Sequence, residues 1–275
     1  MIKQPPKKPP SVIKQILDDM ENTLPNRGYK RVHASDLTKD DWCARKVCLV
    51  NRDKVELPPQ KFDKAIQFTF SMGYTIADLF IHNWAKNRVI GDWDCLACGE
   101  KRIWSKYPKR CSCGCDTWHY REVTFLDQKS SASGGIDCFF ELEKGKYTPI
   151  ELKIMATEKF NDLVAPLAEH KLRTQLYLEI INNSNHPQKS VINTNFAKVF
   201  YVSRGHGKKH PDFGVIPFKE FDVYPDPEGV KYLRLEAVKI KVFNEQGILP
   251  PRVCAVEFCP TASQCPVSTQ CFKEN

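Results

Sequence analysis

A chain of 275 residues with 41% hydrophobic content is long enough to bury a sizeable core, and it holds no apolar run that would span a bilayer. Its 41 basic and 33 acidic residues leave a formal charge of +8, which suits a polyanionic partner better than an anionic metabolite. Twelve cysteines, with no apolar signal segment ahead of them, point to metal binding in a cytoplasmic protein rather than a secreted disulfide scaffold.

Residues 1–10 are rich in lysine and proline and read as a flexible basic arm. Residues 11–91 read as the helical N-terminal part of the main domain. Ser11 is placed to cap a helix whose stripe is Val12, Ile13, Ile16, Leu17 and Met20. After Ser35-Asp36-Leu37 come Cys43 and Cys48 on one short segment, of which Cys48 reads as a small buried residue. Residues 61–88 have helical character and place Asp78 and His82 on one face at i, i+4.

Residues 92–120 read as an insertion built like a zinc ribbon. Cys95-Leu96-Ala97-Cys98-Gly99 offers two thiolates from one tight turn. The second half, Cys111-Ser112-Cys113-Gly114-Cys115, lacks a regular spacing. Because Cys113-Gly114 repeats Cys98-Gly99, the expected set is Cys95, Cys98, Cys111 and Cys113, with Cys115 and His119 as substitutes. Four thiolates leave no open position on Zn²⁺, so this site would serve stability or contact and not chemistry.

Residues 121–249 read as the core of the domain, and the stretch Gly134 to Ile154 carries its chemistry. Two short apolar runs flank Glu143-Lys144-Gly145, which predicts a hairpin with a three-residue loop and Gly145 at positive φ. Leu142 then pairs with Lys146 and Asp137 lies opposite Glu151. Alternation sends Lys153 to the face of Glu151, with Ile150, Leu152 and Ile154 on the other. Two facing carboxylates repel unless a cation lies between them, and hard oxygen ligands suit Mg²⁺ or Mn²⁺. Further on, residues 157–181 look helical and carry Lys171, Gln175 and Tyr177. Residues 197–203 look like a strand, and Arg204 opens a basic loop. Asp226-Pro227 is placed to open a helix that Gly247 ends. Residues 250–275 form a cysteine-rich tail with Cys254, Cys259, Cys265 and Cys271, an irregular segment of the kind that carries cluster ligands.

Asp137 with Glu151-Leu152-Lys153 resembles the acidic position and E-x-K of the PD-(D/E)XK nuclease superfamily. The order Cys43, His82, Asp137, Glu151-x-Lys153, Gln175 and the C-terminal cysteines resembles its RecB-like branch, and within it the CRISPR-associated and bacteriophage iron–sulfur exonucleases. The resemblance implies an α/β, restriction-endonuclease-like fold, a mixed central sheet flanked by helices, with the zinc-ribbon insertion and an iron–sulfur-anchored tail. It implies a metal-dependent DNA nuclease acting on DNA ends in phage or prokaryotic DNA processing. His82, Asp137, Glu151 and the Leu152 main-chain carbonyl would hold Mg²⁺ or Mn²⁺, Lys153 would position the attacking water, and Gln175 would support the site. Lys171, Gln175, Tyr177 and Arg204 would contact DNA. A 4Fe–4S cluster would be held by Cys43, Cys265, Cys271 and either Cys254 or Cys259, with zinc as the competing metal. The expected partners are DNA, single-stranded or with ends, and a recombination or replication protein, in the cytoplasm of a bacterial or phage-infected cell. The alternative is a catalytically silent module that binds or scaffolds DNA ends on the same fold.

Overall fold

The computed structural model describes residues 23–24, 31–39, 42–57, 60–61, 63–210 and 214–274. The arm at residues 1–10 and the helix expected from Ser11 lie outside the described residues. In chain order the elements are β1 (Thr23–Leu24), β2 (Val32–His33), α1 (Ala34–Leu37), α2 (Ala44–Arg52), β3 (Gln60–Lys61) and α3 (Lys64–Leu79), which runs into a π turn at Phe80–Trp84. Then follow β4 (Val89–Cys95), β5 (Lys101–Lys106), β6 (Trp118–Arg121), β7 (Val123–Leu126), β8 (Ala132–Ile136), β9 (Cys138–Glu143) and β10 (Lys146–Met155). The chain continues with α4 (Thr157–Asp162), α5 (Ala168–Asn182), β11 (Ala197–Ser203), β12 (Lys208–His210), β13 (Gly214–Ile216), β14 (Phe218–Val223), α6 (Lys231–Gln246), α7 (Pro260–Ser263) and α8 (Ser268–Lys273).

The protein is a mixed α/β structure. Its main sheet runs β14-β11-β10-β9-β4-β5, with β6 also paired to β4. β10 and β11 are parallel, while β9 and β14 join antiparallel on either side of them. Helix α5 packs on β11, and α3 packs on β10. The two faces feed separate apolar clusters: Leu176, Ile180 and Phe139 belong to one, and Phe80, Ile150 and Leu152 to the other. A second sheet, β2-β8-β7, adjoins α5. Among the described residues, no helix is long and apolar enough to cross a membrane.

The helix expected over residues 157–181 is broken into α4 and α5, and Pro166 in the break explains why, since proline disfavours a helical conformation at the residue before it. Asp226 does not cap α6 directly. Its Oδ1 accepts from Gly229 N (2.9 Å) in a turn, and the helix starts at Lys231 and ends where Gly247 takes φ 68°. β4 runs from Val89 through residue 92 and pairs with β9, so the cysteine ribbon grows out of the main sheet.

Candidate active site and two cysteine sites

The hairpin register can be read residue by residue. Glu143 pairs with Lys146 across a two-residue turn, Lys144-Gly145, with Gly145 at φ 75°. The expected Leu142–Lys146 pair is therefore absent. Leu142 is instead the extra residue of a bulge: Tyr147 pairs with Glu141, and Ile150 with Cys138. Beyond the bulge the register is the one expected from the sequence, which sets Asp137 opposite Glu151.

Asp137 is the single residue between β8 of the small sheet and β9 of the large one. This junction brings three walls together around it. His33, Thr124 and Gly135 come from the small sheet and Glu122 from the junction of β6 and β7; Glu151 and Lys153 come from β10; Arg173 and Tyr177 come from α5. Tyr74 of α3 completes a cavity of about 490 Å³. Gly134 has to be glycine here, because a Cβ would lie 2.7 Å from the Tyr177 ring.

Within the cavity Lys153 Nζ lies 2.5 Å from Glu151 Oε1 and 3.8 Å from Asp137 Oδ2. Asp137 Oδ2 also accepts from Leu152 N (2.6 Å), and the Leu152 carbonyl accepts from Lys153 Nζ (3.2 Å). The Arg173 guanidinium comes within 3.8 Å of Glu151. Glu151 is 3% exposed. Burial and the facing Asp137 charge push its carboxyl up to about 7, against the pull of Lys153 and Arg173. Burial works against the Lys153 ammonium, but Asp137 and Glu151 outweigh it and hold its pKa above the usual lysine value. Burial raises the Tyr177 phenol well above its ordinary range, and Glu151 and Asp137 add to that. The site therefore combines carboxylates that resist sharing one space with a lysine that stays charged. Carboxylate oxygens are the hard donors a divalent cation such as Mg²⁺ takes, and two of them face this open space with Lys153 and Arg173 as the neighbouring positive charges.

Of the other residues singled out in the sequence, Tyr177 lines this cavity and the rest lie elsewhere. His82 falls in the π turn, 3.3 Å from Asp78, with its ring edge-on to Trp93 and Tyr107. It is not brought to Asp137 and Glu151; His33 is the imidazole lining the cavity, with Nδ1 3.2 Å from Ser133 Oγ. Gln175 is buried and its amide donates to the Tyr224 carbonyl (3.3 Å). Lys171 and Arg204 are exposed. Sequence reasoning missed Glu122, Arg173, His33 and Tyr74. Arg173 and Tyr177 did leave a signal, since i, i+4 residues share a helix face and Gln175, two positions along, does not. A larger cavity of about 840 Å³, walled by Leu163, Val164, Phe200 and Phe218, holds none of these converging carboxylates.

In the ribbon, the ligand atoms of Cys95, Cys98, Cys111 and Cys113 all lie within 4.8 Å of one another, and this group of thiols could hold a metal ion. Cys95 Sγ is 3.7 Å from Cys113 Sγ, and Cys98 Sγ is 3.4 Å from Cys111 Sγ. Those spacings match the edge of a tetrahedral thiolate site, roughly 3.8 Å for metal–sulfur bonds near 2.3 Å. Cys115 lies outside the group, with Sγ accepting from Thr117 N (3.3 Å).

Cys43 caps α2 by accepting from Lys46 N (3.4 Å). It lines one cavity together with Cys254, Cys265 and Cys271. Cys259 is not part of that lining and caps α7 instead, accepting from Ala262 N (3.4 Å). The sequence left Cys254 and Cys259 open: Cys254 lines the cavity, and Cys259 lies beside Cys254 as its hydrogen-bond partner. Arg45, 4% exposed, ties the tail down by donating to Pro250 O (2.8 Å) and Glu274 O (2.6 Å). Cys48 is 1% exposed in the core, and burial pushes its thiol up to about 11.

No protein-family model matches this chain, and no curated protein matches it. Among solved structures, one described as "Crystal structure of SSO0001" is similar at a TM-score of 0.36 and 15% identity, over 93% of this chain and 92% of that chain. A likeness this distant fixes neither family nor function.

Proposed function

We propose that this chain is a metal-dependent DNA nuclease of the PD-(D/E)XK kind, RecB-like, that hydrolyses phosphodiesters at DNA ends. The observation that carries the reading is the convergence of Asp137, Glu151 and Lys153 in one cavity, on the expected hairpin register. Asp137, Glu151 and the Leu152 carbonyl would hold Mg²⁺ or Mn²⁺, without His82. A bound divalent ion supplies charge to a phosphoryl oxygen and lowers the pKa of a bound water.

The protein's own side chains do the rest. Lys153, 2.5 Å from Glu151 and 3.8 Å from Asp137, donates hydrogen bonds, orients water and meets charge developing on phosphorus. Arg173 holds Glu151 in place from α5 and adds positive charge to the wall facing a phosphate. The formal charge of +8 favours a polyanion at long range, and exposed Lys171 and Arg204 are available to its backbone.

The ribbon, with its cluster of thiols, would take Zn²⁺. Cys43, Cys254, Cys265 and Cys271, which line a cavity of about 20 Å³, would hold the 4Fe–4S cluster that the resemblance implies. Both would stabilise the fold and leave hydrolysis to the acidic cavity.

The test is incubation of 5′- and 3′-labelled DNA with the protein and Mn²⁺. Release of labelled nucleotides by the wild type, abolished in Asp137→Asn with DNA binding retained, supports the reading. Binding of DNA ends without cleavage would replace it with a scaffolding module.

A further inference from the structure

A second cavity adjoins the acidic one and has a different character. Its volume is about 480 Å³, and it shares Tyr74, Glu122 and Asp137 with its neighbour. Beyond those three residues its walls are largely apolar: Phe70, Ala77 and Ile81 from α3 and its π turn, and Leu152 and Ile154 from β10. Leu152 and Ile154 are the residues that strand alternation sends to the face opposite Glu151 and Lys153. The two cavities therefore open on opposite sides of one strand and meet at Asp137.

The helix that forms the far wall is unusual. α3 has no buried residue, although it carries Ile66, Phe68, Phe70, Tyr74 and Leu79. Tyr74 is 68% exposed and stands at the junction of the two cavities. Gly73, the next position on α3, also lines this cavity, and a Cβ there would meet no atom within 4 Å beyond its own helix backbone and its two chain neighbours.

A ligand spanning both cavities must be charged at one end and flat and apolar at the other, with Asp137 at the point of change. Phosphate oxygens suit the side of Lys153 and Arg173; a planar heterocycle suits the side of Phe70, Tyr74 and Ile154. We infer that the apolar cavity is a subsite for an unpaired nucleobase next to the reacting phosphodiester, with Tyr74 stacking on that base. The inference rests on the nuclease reading of the acidic cavity and adds to it. A base that enters this cavity has left its stack and its partner, so the substrate at this point is a single strand. Stacking on an aromatic side chain is tolerant of sequence, because every base presents a π-face. The subsite would therefore select for the presence of a base and not for its identity.

The experiment is an abasic scan. A short single-stranded oligodeoxynucleotide is compared with a series in which each nucleotide in turn lacks its base. Binding to the full-length protein is measured in Ca²⁺. Wild type should show one position at which loss of the base weakens binding about tenfold. That position should vanish in Tyr74→Ala and persist in Tyr74→Phe, which keeps the ring. Tyr74 is exposed, so its replacement leaves the fold intact.

Absence of a sensitive position in wild type would overturn the subsite, as would its survival in Tyr74→Ala. The two ideas fail separately: a failed scan with cleavage intact in Mn²⁺ removes the subsite alone. A successful scan without cleavage supports the subsite and removes the hydrolytic reading. Failure to bind the oligonucleotide at all would overturn the subsite, and the labelled-DNA assay in Mn²⁺ would still decide the nuclease reading.

Discussion

The ribbon and the acidic cavity both gather groups that repel one another, and they resolve the repulsion in opposite ways. The ribbon brings four sulfurs within 4.8 Å from two local turns, with its partners supplied by a single short stretch of chain. One ion would fill that arrangement completely and leave no position for water. The acidic cavity is assembled from two sheets and two helices, keeps open volume beside its carboxylates, and answers their charge in part with Lys153 and Arg173. On the proposed reading, a closed set of like ligands would serve the fold, while the incompletely neutralised set beside open space would bind and turn over the charged substrate.

The largest effect should come from Lys153→Met. With the ammonium that orients water removed, cleavage should fall by about a hundredfold or more in a labelled-DNA assay. The ribbon should keep its metal. Loss of ribbon metal in Lys153→Met would mean that the two regions are not independent.

Cys98→Ser makes the reverse cut. Metal content measured by elemental analysis should drop by about one atom per chain, and thermal stability should fall with it. Cleavage per folded molecule should change little. A loss of activity as deep as that of Lys153→Met would give the ribbon a role in chemistry.

The tail offers a second set of cysteines. Cys254→Ser should abolish bound iron after anaerobic purification, whereas Cys259→Ser should retain it, because Cys254 lines the cavity with Cys43, Cys265 and Cys271 and Cys259 does not. Arg45 should keep the tail docked in both variants, so limited proteolysis should find the C-terminus protected.

His82→Ala should cost about 1 kcal/mol of stability through lost packing on Trp93 and Tyr107, and leave cleavage within a few-fold of wild type. A deep loss of activity would return His82 to the metal site.

A last effect concerns pH. Burial, then Lys153 and Arg173, push the His170 imidazole down to about 4 from an ordinary 6.5. The unfolded chain thus binds a proton that the folded one refuses. Stability should be intact above about 6.5 and decline as pH falls towards about 4. In His170→Gln this part of the acid limb should flatten, as followed by thermal melts across that window.

The parts of this molecule legible in its sequence are those set by local parity. Asp137, Glu151 and Lys153 share a face because strand alternation depends only on whether spacings are odd or even. The turn is one residue shorter than expected, and the bulge at Leu142 restores the same parity. The ribbon ligands were legible because each pair comes from its own tight turn. The rest depends on tertiary placement. His82 matched a pattern along the chain, but the π turn at Phe80–Trp84 sets it against Trp93 and Tyr107. Gln175 matched a motif, yet helix geometry gives the cavity to Arg173 and Tyr177 on either side of it. Glu122 and His33 reach Asp137 only because two sheets meet there, and no spacing along the chain records that meeting.

The central claim is that the acidic cavity holds a catalytic divalent ion distinct from the cysteine-bound metal. Titration of Mn²⁺ into protein already loaded at its cysteines, followed by the electron paramagnetic resonance of free Mn²⁺, tests it directly. The account predicts uptake by wild type and Cys98→Ser, and loss of that uptake in Asp137→Asn and in Glu151→Gln. Uptake unchanged by either carboxylate substitution would contradict it.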